Sequence, residues 1–249
     1  MMRHIIGLVL ISFILGSCSP IIWHKADAKY QRYSIGEDLA ANKEMTDIVS
    51  PYKNQLDATM DEVIGQLDVE LLKERVESNM GNWYTDIILE EAKRVSAKKV
   101  DFAMQNYGGL RSGSIASGPI TVRTIYELMP FENTLVTVDL SGDKVQTFFD
   151  DLAEYGGAPI SSGVKFQISG GKAINVSING EPIDYSASYR IALNDYTAEG
   201  GDDASVFAGC EIHEYNILQR DAIINHIKRD TENGIIQTAS KEGRITKID

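Results

Sequence analysis

The chain reads as an α+β fold: one domain with a single mixed β-sheet covered by helices. Three observations carry this. Asn79 to Lys98 sets Tyr84, Ile88, Ala92 and Val95 at helical spacing among Glu90, Glu91, Lys93 and Arg94. Thr134 to Leu140 brings in Leu135, Val136, Val138 and Leu140 at strand spacing. Further strand-like runs follow, with Asn179-Gly180 as a hairpin-type turn signal, so antiparallel pairing belongs to the pattern.

Taken in order, the elements are these. Met45 to Gln66 carries apolar residues at mixed spacing, and Pro51 is expected to interrupt any long helix. Asn79 resembles an N-cap for the helix that follows, and Gly81 lets that helix pack closely. Val100 to Met104 is a short buried strand. Thr121 to Met129 is a short helix stopped by Pro130. Gly142 to Tyr155 is helical and buries Val145, Phe148, Phe149 and Leu152. Strands follow around Val164 to Ile168, Ile174 to Ile178 and Tyr189 to Leu193. Leu218 to Arg229 forms a last helix, with Ile223, Ile224 and Ile227 apolar. Short strands around Ile235 to Gln237 and Arg244 to Lys247 close the chain. No internal repeat and no low-complexity tract is present.

The first residues read as a targeting segment. Met1-Met2-Arg3-His4 precedes an apolar run from Ile5 to Leu15, which is too short to span a bilayer as a helix. Leu15-Gly16-Ser17-Cys18 matches the bacterial lipobox, so Cys18 is the expected lipid attachment site. The expected organisation is a signal peptide over 1–17, an anchor and flexible leash over 18–43, and the domain over 44–249. Ser19 after Cys18 is not an Asp, which favours a lipid-anchored position in a bacterial cell envelope, outer-membrane or periplasm-facing.

The net charge of −12 and a pI near 4.8 exclude a nucleic-acid-binding surface, which needs a basic face. The other cysteine, Cys210, has no partner for an internal disulfide once Cys18 is lipidated, and Val206-Phe207-Ala208-Gly209-Cys210 places it as a small buried apolar residue.

Two glycine-rich loops carry the chemistry. Asn106-Tyr107-Gly108-Gly109-Leu110-Arg111 follows the short strand. Its glycines let the backbone approach a ligand, and Arg111 offers a planar fork of donors for phosphate, carboxylate or ribose oxygens. Asn194-Asp195-Tyr196-Thr197-Ala198-Glu199-Gly200-Gly201-Asp202-Asp203 lies far downstream. Alone, each reads equally well as an ordinary turn.

Together with Glu77-Ser78-Asn79-Met80-Gly81-Asn82, Gly118-Pro119-Ile120-Thr121 and Leu128-Met129-Pro130-Phe131-Glu132-Asn133, they resemble the C-terminal, substrate-binding domain of the 5′-nucleotidase family, which includes UDP-sugar hydrolases and 2′,3′-cyclic phosphodiesterases. The resemblance runs from about Asp47 to Phe207. It implies that Phe131 and Tyr196, where the family usually has Phe, sandwich a nucleobase. It implies that Asp202 accepts hydrogen bonds from ribose hydroxyls, that Asn106 lies near base and ribose, and that Arg111 reaches ribose or phosphate oxygens. Gly108, Gly109, Gly200 and Gly201 shape the two loops. A further family arginine precedes the Asn79 block; Arg75 lies one position off and is carried over on that footing.

The family's metallophosphatase half supplies two divalent metals through Asp-x-His and Asn-His-Asp/Glu motifs. This chain has four His, at 4, 24, 213 and 226, and neither motif. His226, beside Lys228 and Arg229, is expected at the surface. No cofactor is therefore expected in this chain; metals are expected only in a partner metallophosphatase chain. The resemblance implies a nucleotide- or nucleoside-binding half that is inactive alone, completed in trans by that partner and tethered to membrane by its lipid. A non-catalytic nucleoside-binding lipoprotein and a degenerate structural module are the alternatives.

Overall fold

The computed structural model describes residues 30–34 and 40–248, so the signal segment and Cys18 lie outside the described residues. The chain divides into two units, Met1–Val49 and Ser50–Asp249. Of the first, the described residues include the opening turns of helix α1 (Lys43–Met60).

That helix is continuous through Pro51, contrary to the interruption expected from the sequence. Its start is capped by the Asn42 side chain, which accepts from the Met45 N–H at 3.1 Å. Pairs one turn apart, Lys43 with Asp47 and Lys53 with Asp57, brace it on either side of the proline. Arg123 then holds Asp57 and Asp61 at its end.

The second unit is built on a mixed sheet of order β11-β6-β10-β3, made by β3 (Phe102–Ala103), β6 (Thr134–Ser141), β10 (Ser188–Asn194) and β11 (Ile212–Leu218). β10 runs parallel to β3 and antiparallel to β6. Alternation along β6 and β10 separates two cores. Val136, Val138, Leu140, Ile191 and Leu193 face one; Leu135 and Ala192 face the other.

The first core is closed by α4 (Gly142–Glu154), whose Phe148 and Phe149 meet edge to face at 5.1 Å. It is also closed by a second sheet of order β12-β7-β8-β9: β7 (Val164–Ser169), β8 (Lys172–Ile178), β9 (Glu181–Pro182) and β12 (Ile245–Lys247). The single sheet expected from the sequence is thus two four-stranded sheets, with two small pairs besides: β1 (Val63–Leu67) with β5 (Gly118–Thr121), and β2 (Leu71–Leu72) with β4 (Ser114–Ile115). Asn179-Gly180 makes the expected tight turn between β8 and β9, with φ of 55° and 87°.

The second core is closed by α2 (Asn79–Val95) and α6 (Gln219–Glu232). The N-cap of α2 is Ser78, whose hydroxyl accepts from the Gly81 N–H, not Asn79. Asn79 instead spans Glu70 and Leu72 of the preceding segment. Gly81 does permit close packing: a Cβ there would stand 3.0 Å from Pro159. α3 (Val122–Leu128) begins at Thr121 with a reciprocal cap to Thr124. Ile235 to Gln237 contributes only a bridge, from Gln237 to Leu67, while the Gln237 side chain joins Trp83 and Asp230.

The C-terminal tail is fastened by Arg244. Its side chain is 2% exposed and donates to both Asp86 oxygens, to Glu242 and to the Ile160 carbonyl. A buried guanidinium is tolerable only when so completely paired.

Candidate functional site

The pairing of three strands decides where the loops emerge. Ala103 lies opposite Ala192 in the parallel pair, and Leu135 lies opposite Asn194 in the antiparallel pair. The carboxyl ends of β3 and β10 and the amino end of β6 therefore share one edge. The loops carrying Asn106 to Arg111, Tyr196 to Asp203, and Phe131 all leave from it. The carboxyl ends of parallel strands are where open sheets place ligands. Arg111 is drawn in by its N–H, which donates to the Leu128 carbonyl at 2.8 Å.

Four side-chain amides and carboxylates form the centre. Gln105 and Asn194 are fully buried. Both direct an NH2 group at Asn106 Oδ1, at 2.8 and 2.9 Å, which fixes the orientation of the Asn106 amide. Asn106 Nδ2 is thereby turned outward and donates to Asp202 Oδ2 at 2.7 Å. Asn194 also caps the short helix α5 (Asp195–Ala198), accepting from the Thr197 N–H at 2.7 Å. Gly109 closes the other side. A Cβ there would stand 2.1 Å from Gln105 Nε2, so only glycine fits against the amide pair.

Asp202 and Asp203 sit in the left-handed region, with φ of 53° and 60°, after Gly200 at φ 96°. Non-glycine residues there carry strain of order 1 kcal/mol. Compensating bonds hold the turn. The Tyr196 hydroxyl donates to Asp202 Oδ1 at 2.9 Å and accepts from the Asp202 N–H at 3.2 Å. The Tyr155 hydroxyl donates to the Asp202 carbonyl. The Tyr196 ring lies on Gly201, where a Cβ would come within 2.6 Å of three ring carbons.

Phe131 is 39% and Tyr196 46% exposed, so core packing accounts for neither ring. The Phe131 carbonyl accepts from Arg220, and the Arg111 guanidinium lies 5.6 Å from the Phe131 ring centre. Arg111 also donates to the Gly108 carbonyl at 3.4 Å.

Beside this edge opens a cavity of about 790 Å³. It takes in Arg75, Asn106, Gly108, Gly201 and Asp202 of the sequence-predicted residues; Gly109, Arg111, Phe131, Tyr196 and Gly200 lie outside its lining. Its remaining walls include Tyr107 and Tyr155, which the motif reading passed over. Arg75 stacks on the Tyr107 ring at 3.8 Å and Lys73 approaches the same ring at 4.1 Å. Lys73 also donates to the Leu110 carbonyl at 2.6 Å.

Burial, followed by the charges of Arg111 and Arg75, pulls the Lys73 ammonium below the ordinary lysine value. Among the described residues none of the three cations has a carboxylate within salt-bridge distance, although the chain carries a net −12. Lys73 was not legible as a site residue, because Lys-Glu-Arg reads as a solvated run. Elsewhere in the cavity lining burial, then Asp203, Asp202, Glu154 and Asp151, push the Tyr155 phenol up.

The two described histidines are committed elsewhere. His213 lies against Asp139 and Arg190. His226 is not a surface residue as expected. It is largely buried between Glu91, 2.8 Å from Nδ1, and Asp230, 3.3 Å from Nε2, because α6 packs against α2. Cys210 is half-buried at the edge of the first core, with the Lys144 ammonium 3.7 Å from Sγ. Among the described residues no group of three or more His, Cys, Asp or Glu side chains is placed to hold a metal ion. No helix among them is long and apolar enough to cross a membrane.

The family model described as "5′-nucleotidase, C-terminal domain" matches residues 63–209. Protein UshA of Escherichia coli K12 is 32% identical over 185 residues, which are 71% of this chain and 32% of that protein. The trifunctional nucleotide phosphoesterase protein YfkN of Bacillus subtilis is 31% identical over 193 residues, 70% of this chain and 13% of that one. The chain thus spans about a third or less of the curated relatives it matches. Among solved structures, a 5′-nucleotidase precursor from Thermus thermophilus superposes with a TM-score of 0.68 at 29% identity, covering 82% of this chain and 43% of that one.

Proposed function

Because the chain belongs to the 5′-nucleotidase C-terminal domain family, we propose that it is the nucleotide-binding half of a phosphoesterase, acting in trans with a separate metallophosphatase chain in envelope nucleotide catabolism or salvage. One observation carries this reading: the fixed Asn106–Asp202 pair, with the half-exposed Tyr196 bonded to it, shares one strand edge with the loops of Arg111 and the exposed Phe131, and among the described residues Arg111, Arg75 and Lys73 have no carboxylate within salt-bridge distance.

The roles follow from the chemistry of each group. Phe131 and Tyr196 offer π faces, on each of which a base gains about 1–3 kcal/mol by stacking, with little selectivity among bases. Asp202 accepts from ribose hydroxyls. The outward NH2 of Asn106 reaches base or ribose. Arg111, Arg75 and Lys73 offset the charge of a phosphate, and Arg111 suits two phosphate oxygens at once. The three cations favour a phosphorylated ligand over a bare nucleoside. We assign hydrolysis to the partner chain, and to this chain the role of binding and orienting the nucleotide. The lipobox at Cys18 supports tethering at a bacterial envelope.

Calorimetric titration of the protein with adenosine and AMP in EDTA tests the binding role. Binding of both, with AMP tighter, is expected. No heat from either ligand refutes it. For the partner, a metallophosphatase chain is expected to co-purify, and its activity should fall when this chain is removed. Unchanged activity removes the trans arrangement and leaves a binding lipoprotein.

A further inference from the structure

The geometry points to Tyr196 as a specificity-determining residue whose hydroxyl is an internal competitor for the ribose hydroxyls at Asp202. This rests on the nucleoside-binding reading above and adds to it a direction of selectivity.

A carboxylate presents about four lone-pair positions. In Asp202 one on Oδ2 is taken by Asn106, and one on Oδ1 by the Tyr196 hydroxyl. The two contacts differ in kind. The Asn106 amide is locked from behind by buried Gln105 and Asn194, so it cannot turn away. Tyr196 is half-exposed, and its ring rests on Gly201 with solvent beyond. Its hydroxyl is therefore the donor that can yield.

The hydroxyl also accepts from the Asp202 N–H at 3.2 Å, so it meets both the carboxylate and the backbone of Asp202. An incoming 2′,3′-diol meets an acceptor whose charge is already shared with a phenol. It must displace that donor or accept a weaker bond. Phenylalanine keeps the π face and removes the competitor. With tyrosine the site discriminates less between ribose and a sugar lacking the diol, which suits a binder that takes varied nucleosides.

The test compares Tyr196→Phe with the unaltered chain, each titrated with adenosine and with 2′,3′-dideoxyadenosine. Thermal melting of both proteins checks that the loop remains folded. The expected result is a ratio of the two dissociation constants that grows about three- to tenfold in Tyr196→Phe, chiefly through tighter adenosine binding. A ratio that stays the same or falls overturns the inference, since the hydroxyl would then act only as a brace for the loop. Failure of the unaltered chain to bind either ligand refutes the nucleoside-binding reading itself, and the inference with it. That outcome is distinct from binding with an unmoved ratio.

Discussion

Gly109→Ala is the sharpest test of the amide cluster behind the site. The added Cβ would lie 2.1 Å from Gln105 Nε2 and 2.6 Å from Asn106 Oδ1, where ordinary contact begins near 3.4 Å. Gln105 Nε2 must retreat by more than 1 Å, and because Gln105 is fully buried and bonded to Asn106 and Asn194, that shift breaks the amide cluster. Over-packing of this kind costs about 1–3 kcal/mol. The bond from Gln105 to Asn106 is lost as well, and those from Asn194 weaken, at a net of about 0.5–1.5 kcal/mol for each bond. The expected destabilisation is about 2–4 kcal/mol. Gly113→Ala is the matched control, because no atom lies within 4 Å of its Cβ position and neither glycine has a positive φ. Both substitutions restrict the unfolded chain alike, so their difference reports the native clash. In urea, with a slope of about 2–3 kcal/mol/M, the Gly109→Ala midpoint should fall by about 1 M relative to Gly113→Ala. Midpoints that agree within about 0.2 M at equal slope would refute the reasoning.

Phe131→Ala should weaken adenosine binding by about 1–3 kcal/mol by calorimetry while leaving the melting temperature nearly unchanged, since the ring is 39% exposed. An unaltered affinity would remove Phe131 from the site. Lys73→Ala should reduce the preference for AMP over adenosine about three- to tenfold. With Lys73 intact, that preference should decline as pH rises, starting below the ordinary lysine value of 10.5, because burial and then Arg111 and Arg75 disfavour its charged form. Asp139 behaves in the opposite sense. The bond from Arg190 holds its carboxyl below the ordinary 3.8, against burial, with the Arg190 charge and His213 adding to the effect. Its contribution to stability is complete above about 3.8 and is lost as pH falls through the lowered value. Asp139→Asn should cost about 1–3 kcal/mol at pH 7 and flatten the acid limb of a stability profile; a parallel acid limb would contradict this.

The elements with a clean period were legible. β6 and α4 follow directly from alternation at Leu135 to Leu140 and from the spacing of Val145, Phe148, Phe149 and Leu152. Sheet membership was not, because the alternation in Val164 to Ile168 fixes a face but not a partner. Their separation into a second sheet depends on α4 lying between the layers and on the late strand β12. Pro51 misled because a proline removes one bond of the helix without always ending it, and here the helix runs on from Lys43 to Met60. The N-cap fell to Ser78 rather than Asn79 because Asn79 had two backbone partners nearer to hand. Within the site, the two glycine loops announced themselves through composition. Gln105 and Lys73 did not, since one reads as a polar loop residue and the other as part of a solvated charge run. Only the strand edge and the Tyr107 ring give them their places.

The Arg244 clasp has a consequence for the order in which this chain can mature. Asp86 is joined to Arg244 across 158 residues, Trp83 to Gln237 across 154, and Glu77 to Gly243 across 166. β12 then completes the second sheet by lying parallel to β7. Loops of this length are slow to close, and nothing rewards them until the final segment arrives. A chain delivered from its amino end, by a ribosome or through a pore, therefore holds α2 without its buried counter-charge for almost the whole of its emergence. Completion waits on residues 237–247. A chain cut before Arg244 should give a product that collapses but does not lock.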